Sequence, residues 1–118
     1  MDFTEQDIDT VTASAVETLL WSEALDDGPA GMSPEAVAQI REVVSDFLTD
    51  EWISDALAVY LAARPLDHIG HDFILTANHH GAGFWDRGLG EAGDTLTGAA
   101  LGYSFEAYVG DDGLVYVQ

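Results

Sequence analysis

The sequence contains no cysteine and no lysine. The first absence excludes disulfides and thiolate metal sites, and it leaves the redox compartment unspecified. The second leaves Arg41, Arg64 and Arg87 as the only strong bases against 22 acids, for a formal net charge of −19. A chain so charged repels nucleic acid and anionic membranes and attracts basic surfaces. No apolar run reaches the roughly 18 residues of a membrane-spanning helix. The opening Met1-Asp2-Phe3-Thr4-Glu5 lacks the basic region of a secretory signal. A soluble intracellular protein is therefore expected. Catalytic signatures are missing too. There is no HExxH, no Gly-x-Ser-x-Gly element around Thr76 or Ser104, and Gly81-Ala82-Gly83 is too little for a phosphate loop. Neither an enzyme nor a cofactor is expected.

What is present is enough for a core. The chain has 118 residues, 47% hydrophobic, with three Trp, four Tyr and five Phe. That composition describes one folded domain, residues 1–118, rather than a disordered acidic tail. Thr4 to Asp26 reads as a first helix: Thr4 caps it with Asp7 at the third position, and Ile8, Val11, Ala15 and Leu19 recur at three and four. Asp26-Asp27-Gly28-Pro29 stops it. Ser33-Pro34-Glu35 is a strong start for a second helix over Pro34–Ala63, one long element or two abutting ones that break near Thr49.

Beyond Pro65 the composition shifts, with ten of the 12 glycines at or after Gly70. Asp72–Thr76 and Ala82–Trp85 read as strands around a turn at Asn78-His79-His80-Gly81. Leu89–Leu101 reads as a third helix. Phe105–Val109 and Leu114–Val117 form a hairpin around an Asp-Gly turn. The expected order is α-α-β-β-α-β-β: an α+β fold with the N-terminal helices packed on a small antiparallel sheet. Leu114–Val117 is an apolar edge that would pair two copies.

The second half also carries a recognisable pattern. Gly70-His71-Asp72-Phe73-Ile74-Leu75-Thr76 is followed by His80-Gly81-Ala82-Gly83-Phe84-Trp85-Asp86-Arg87-Gly88-Leu89-Gly90, then by Tyr108-Val109-Gly110-Asp111-Asp112-Gly113-Leu114-Val115-Tyr116. It resembles an uncharacterised family of small acidic proteins encoded by phages and prophages. The resemblance implies a mobile-element origin, a site of action in the host cytoplasm and a bias towards blocking host defence or repair. It transfers no functional residues.

Two clusters stand out chemically. His68, His71, His79 and His80 fall close together with Asp67, Asp72 and Asp86 nearby, which would suit a first-row metal. Their spacing matches no metal motif, and turn histidines bonded to carbonyls or carboxylates are the plainer reading. Arg87 is expected to pair with carboxylates, and Phe84-Trp85 to pack. The second cluster is acidic. Glu42, Asp46 and Asp50 recur at i, i+4, i+8, with Glu35, Glu51 and Asp55 beside them. Like charges four apart destabilise a helix, so something outside the fold should account for them. Four helical residues rise about 6 Å, close to the separation of neighbouring phosphates along a DNA strand.

The leading expectation is a DNA mimic. Glu35, Glu42, Asp46, Asp50, Glu51 and Asp55 would meet the basic DNA-binding surface of a host CRISPR effector, restriction enzyme or uracil-DNA glycosylase. No direct contact with nucleic acid or membrane is expected. The first alternative is a salt-adapted structural or accessory domain, which the 14 Asp against eight Glu and the missing lysine would equally suit. The second is a small metal-binding protein using His68, His71, His79 and Asp72.

Overall fold

The computed structural model describes residues 2–23 and 31–118. The expected stop at Asp26-Asp27-Gly28-Pro29 lies outside the described residues. Helix α1 (Glu5–Ser22) begins where its capping chemistry dictates. The Thr4 hydroxyl accepts from the Asp7 amide at 3.1 Å, and the Asp7 carboxylate accepts from the Thr4 amide at 2.9 Å. Its buried stripe is Ile8, Val11, Thr12, Ala15, Thr18 and Leu19. The two buried threonines satisfy their hydroxyls on the carbonyls of Ile8 and Ser14.

Helix α2 (Pro34–Leu48) starts on Ser33, whose hydroxyl accepts from the Ala36 amide at 3.0 Å, with Pro34 in the first turn. It stops at Thr49. Asp50 then caps a short 3-10 turn over Glu51–Ile53 by accepting from the Trp52 amide at 2.9 Å, and helix α3 (Ser54–Ala63) follows. Of the two readings of Pro34–Ala63, the abutting helices are the one observed.

The expected α-α-β-β-α-β-β order is overturned. Residues Asp67–Ala77 form helix α4, the Phe84–Asp86 segment is a second 3-10 turn, and helix α5 spans Glu91–Ala100. Among the described residues only β1 (Ala107–Val109) and β2 (Val115–Val117) are strands, paired antiparallel with Tyr108 opposite Tyr116. Two three-residue strands are no layer for helices to rest on. The helices pack on one another instead, α1 against α2 and α4, and α3 against α5. The strand reading of Asp72–Thr76 failed for a physical reason. Every residue from Asp72 to Ala77 is buried, and a stretch of helix enclosed all round shows no amphipathic period.

Gly70 lies at the centre of this packing. A β-carbon there would overlap the Val11 carbonyl oxygen and lie 2.8 Å from the Ala15 amide nitrogen. The two backbones approach this closely only because position 70 has no side chain. Gly83 holds the next corner: its φ is +154°, and a β-carbon would overlap the Thr76 hydroxyl, which itself accepts from the Phe84 amide. Around these points Phe47, Phe73 and Phe84 gather, with Phe47–Phe73 ring centroids 4.6 Å apart.

The outer side of β2 is already occupied. The Ser33 amide donates to the Val115 carbonyl at 2.8 Å, and the Val115 amide to the Gly31 carbonyl at 2.9 Å. The edge expected to pair two copies is thus covered at Val115 by the chain's own residues 31–33. Among the described residues no helix is long and apolar enough to cross a membrane.

Candidate functional site

The six carboxylates singled out by sequence do not form one straight row. Glu35, Glu42 and Asp46 are exposed on α2. Asp50 steps off the helix, is half-buried and is engaged in capping. Glu51 and Asp55 are exposed on the turn and on α3. Asp46 and Asp50 share a neighbour: after burial, their fields are what push the Tyr103 phenol above its ordinary value. Glu35 stands about 16 Å from Asp46 along the helix, beside the hairpin, where it adds a small upward push on Tyr116. The fold therefore gathers Asp46, Asp50, Glu51 and Asp55 near the α2–α3 junction and leaves Glu35 apart.

At that junction lies a residue that the acidic pattern concealed. Trp52 is 93% exposed. It borders an open groove of about 470 Å³ between α3 and α5, with Val59 and Leu89 as apolar wall and Asp55 and Glu91 as acids. An indole left this bare contributes nothing to the core, and aromatic anchors ringed by polar groups are what protein interfaces use. The available signal was register. Trp52 falls between Leu48, Ile53 and Leu57, off the apolar stripe.

None of these carboxylates meets an arginine. Arg41 on α2 bonds Asp9 at 2.9 Å and reaches Glu5 at 3.6 Å, tying α1 to α2. Arg64 and Arg87 both turn inward to Asp72, which is fully buried. Arg87 donates to both Asp72 oxygens, at 2.6 and 3.1 Å, as expected for an arginine isolated among acids. The Tyr60 hydroxyl donates to the same carboxylate at 2.6 Å. Burial, then the Asp72 carboxylate, drives the Tyr60 phenol far above its ordinary value, so it stays protonated and remains a donor. Tyr60 and Arg64 were not legible as partners of Asp72.

The histidines are dispersed among different tasks. His68 is bonded to Arg64 and His71 to Thr18, while His80 lies 3.9 Å from Glu23. His79 is exposed, with a φ of 60°. Among the described residues no group of three or more histidine or carboxylate side chains is placed to hold a metal ion. The metal reading with His68, His71, His79 and Asp72 meets no ligand set, because Asp72 is consumed by Tyr60 and Arg87.

The motif of the second half has a structural explanation. Gly70 seats α4 on α1, Asp72 and Arg87 form the buried pair, and Thr76 meets Gly83 and Phe84. Asp112 caps the hairpin turn and accepts from the Tyr116 hydroxyl at 2.6 Å. These residues hold the fold. No family model, curated protein or solved structure matches the chain.

Proposed function

We propose that this protein is a non-catalytic inhibitor that presents a DNA-like acidic face to the basic DNA-binding surface of another protein. The observation that carries the reading is the division of charge. All three arginines serve internal contacts with Asp9, Glu5 and Asp72, while Glu42, Asp46, Glu51 and Asp55 stay exposed and uncompensated along α2 and its junction with α3, where Trp52 stands bare. A protein that holds DNA through phosphate contacts gains from releasing counterions, and a surface of fixed carboxylates draws on the same attraction. Trp52 adds what phosphates lack, an apolar anchor and a face for a guanidinium. The resemblance of the second half to phage-encoded acidic proteins favours a host CRISPR effector, restriction enzyme or uracil-DNA glycosylase as the target, met in the host cytoplasm.

The test is competition with DNA for such proteins. Wild-type protein should displace DNA from its target, and Glu42→Lys/Asp46→Lys/Asp55→Lys should bind at least about 100-fold more weakly. Trp52→Ala should lose about 30-fold. All four positions are exposed or half-bare, so the fold should survive. Displacement that persists in the triple variant would remove the acidic face from the reading.

Adaptation to salt is the second reading, favoured by the excess of Asp over Glu and the missing lysine. A melting series in KCl separates the two. Screening of self-repulsion is nearly complete by about 1 M, where the Debye length is roughly 3 Å. A mimic should plateau there. A melting temperature that climbs steeply into multimolar KCl, with no binding to basic proteins, would favour salt adaptation.

A further inference from the structure

A second concavity, which shares no lining residue with the groove at the acidic junction, gathers groups of both charges. It lies between α1, the start of α4 and Arg87, encloses about 390 Å³, and has the indole of Trp21 as one wall. Two of the three arginines and two of the four histidines of a chain with net charge −19 line it.

The two arginines are not equivalent. Arg87 is clamped to Asp72 at 2.6 Å, with its side chain 18% exposed. Arg64 approaches Asp72 only to 4.0 Å and its side chain is 30% exposed, with its Nε buried on the side of Asp72 and Tyr60. Less firmly held and more exposed than Arg87, Arg64 is the cation open to a ligand.

The hydrogen bonds also set the imidazoles. Arg64 Nη2 lies 3.2 Å from His68 Nδ1 and can only donate, so His68 carries its proton on Nε2 and is a donor there. The Thr18 hydroxyl donates its one proton to the Ser14 carbonyl, so at 3.2 Å it accepts from His71 Nδ1–H, which leaves His71 Nε2 as an acceptor. Burial holds the His71 imidazole below its ordinary pKa and therefore neutral. At the rim stand two exposed carboxylates, Glu17 and Asp67. Trp21 is 58% exposed, its ring centroid 5.6 Å from that of His71.

A simple anion would meet the rim carboxylates and the field of the whole chain. A simple cation would meet Arg64 and Arg87. We infer that this cleft binds a small zwitterion with a planar apolar group, of which an aromatic α-amino acid is the simplest example. Its carboxylate lies towards Arg64 and the His68 Nε2–H, its ammonium towards Glu17 and Asp67, and its ring against Trp21. Each arm is a charge-assisted hydrogen bond, worth about tenfold or more in affinity.

Calorimetric titration of the full chain tests this with three probes. Phenylalanine carries both charges, N-acetylphenylalanine only the carboxylate, and phenylalaninamide only the ammonium. Phenylalanine should bind about tenfold or more tightly than either derivative. Arg64→Leu should weaken phenylalanine and N-acetylphenylalanine and spare phenylalaninamide. Glu17→Gln/Asp67→Asn, at exposed positions that leave the core intact, should weaken phenylalanine and spare N-acetylphenylalanine. No saturable binding of phenylalanine, equal binding of all three probes, or phenylalanine affinity unmoved in Glu17→Gln/Asp67→Asn would each overturn the assignment.

Discussion

Asp72→Asn should lower the melting temperature by about 10–20 °C. The carboxylate is fully buried and receives the Tyr60 hydroxyl and two nitrogens of Arg87. Asparagine nearly keeps the shape but loses the charge, and the Arg87 guanidinium remains largely enclosed without its counter-ion. Removing one partner of a buried pair costs about 3–5 kcal/mol, against a total stability of about 5–15 kcal/mol for an ordinary domain. A domain of this length loses a few degrees for each kcal/mol. Arg87→Leu alone should also destabilise. The double variant Asp72→Asn/Arg87→Leu should lose less than the sum of the two, since the Arg87 guanidinium is then no longer enclosed without a counter-ion and only the more distant, more exposed Arg64 still faces position 72. Thermal melts of the four proteins give the coupling. A single-variant change of only a few degrees, or strict additivity, would mean that the pair does not organise the core.

The second large effect concerns two glycines of the same kind and opposite outcome. In a helix, Gly→Ala gains about 1 kcal/mol of propensity. At Gly98, exposed on α5 with nothing within 4 Å of an added β-carbon, that gain should appear almost whole. At Gly70 the added carbon meets the backbone of Val11 and Ala15 on α1. Backbone does not rotate aside as a side chain does, so α1 must lift from α4. Overpacking of this kind costs about 1–3 kcal/mol or more, enough to outweigh the propensity. Denaturant midpoints should therefore rise for Gly98→Ala and fall for Gly70→Ala. A rise for both would show that the helix contact yields easily.

The same position explains where sequence reasoning stopped. Thr4 with Asp7, and Ser33 with Pro34, announce their helices because capping is local chemistry within four residues. Helix α4 announces nothing. Its glycine is a contact point, and the run Asp72–Thr76 reads as a strand because every residue in it is buried. The true second-half signals are long-range: Asp72 finds Arg87 fifteen residues on and Tyr60 twelve residues back. Of the acidic face, the identity and exposure of Glu42, Asp46, Glu51 and Asp55 were legible. The interruption at Asp50 was foreseeable only as a break near Thr49. Trp52 was hidden because an aromatic residue in an amphipathic stretch is ordinarily core.

The employment of every arginine in internal contacts, together with the absence of lysine, also governs how the chain is dismantled. Trypsin-type proteases cut after these two residues alone. Arg41 is held within a helix, Arg64 precedes Pro65, and Arg87 is clamped to Asp72. Cleavage must then wait for the structure to open, so its rate reports the population of the open form. Degradation tags joined through a side-chain amine find no acceptor anywhere in the sequence.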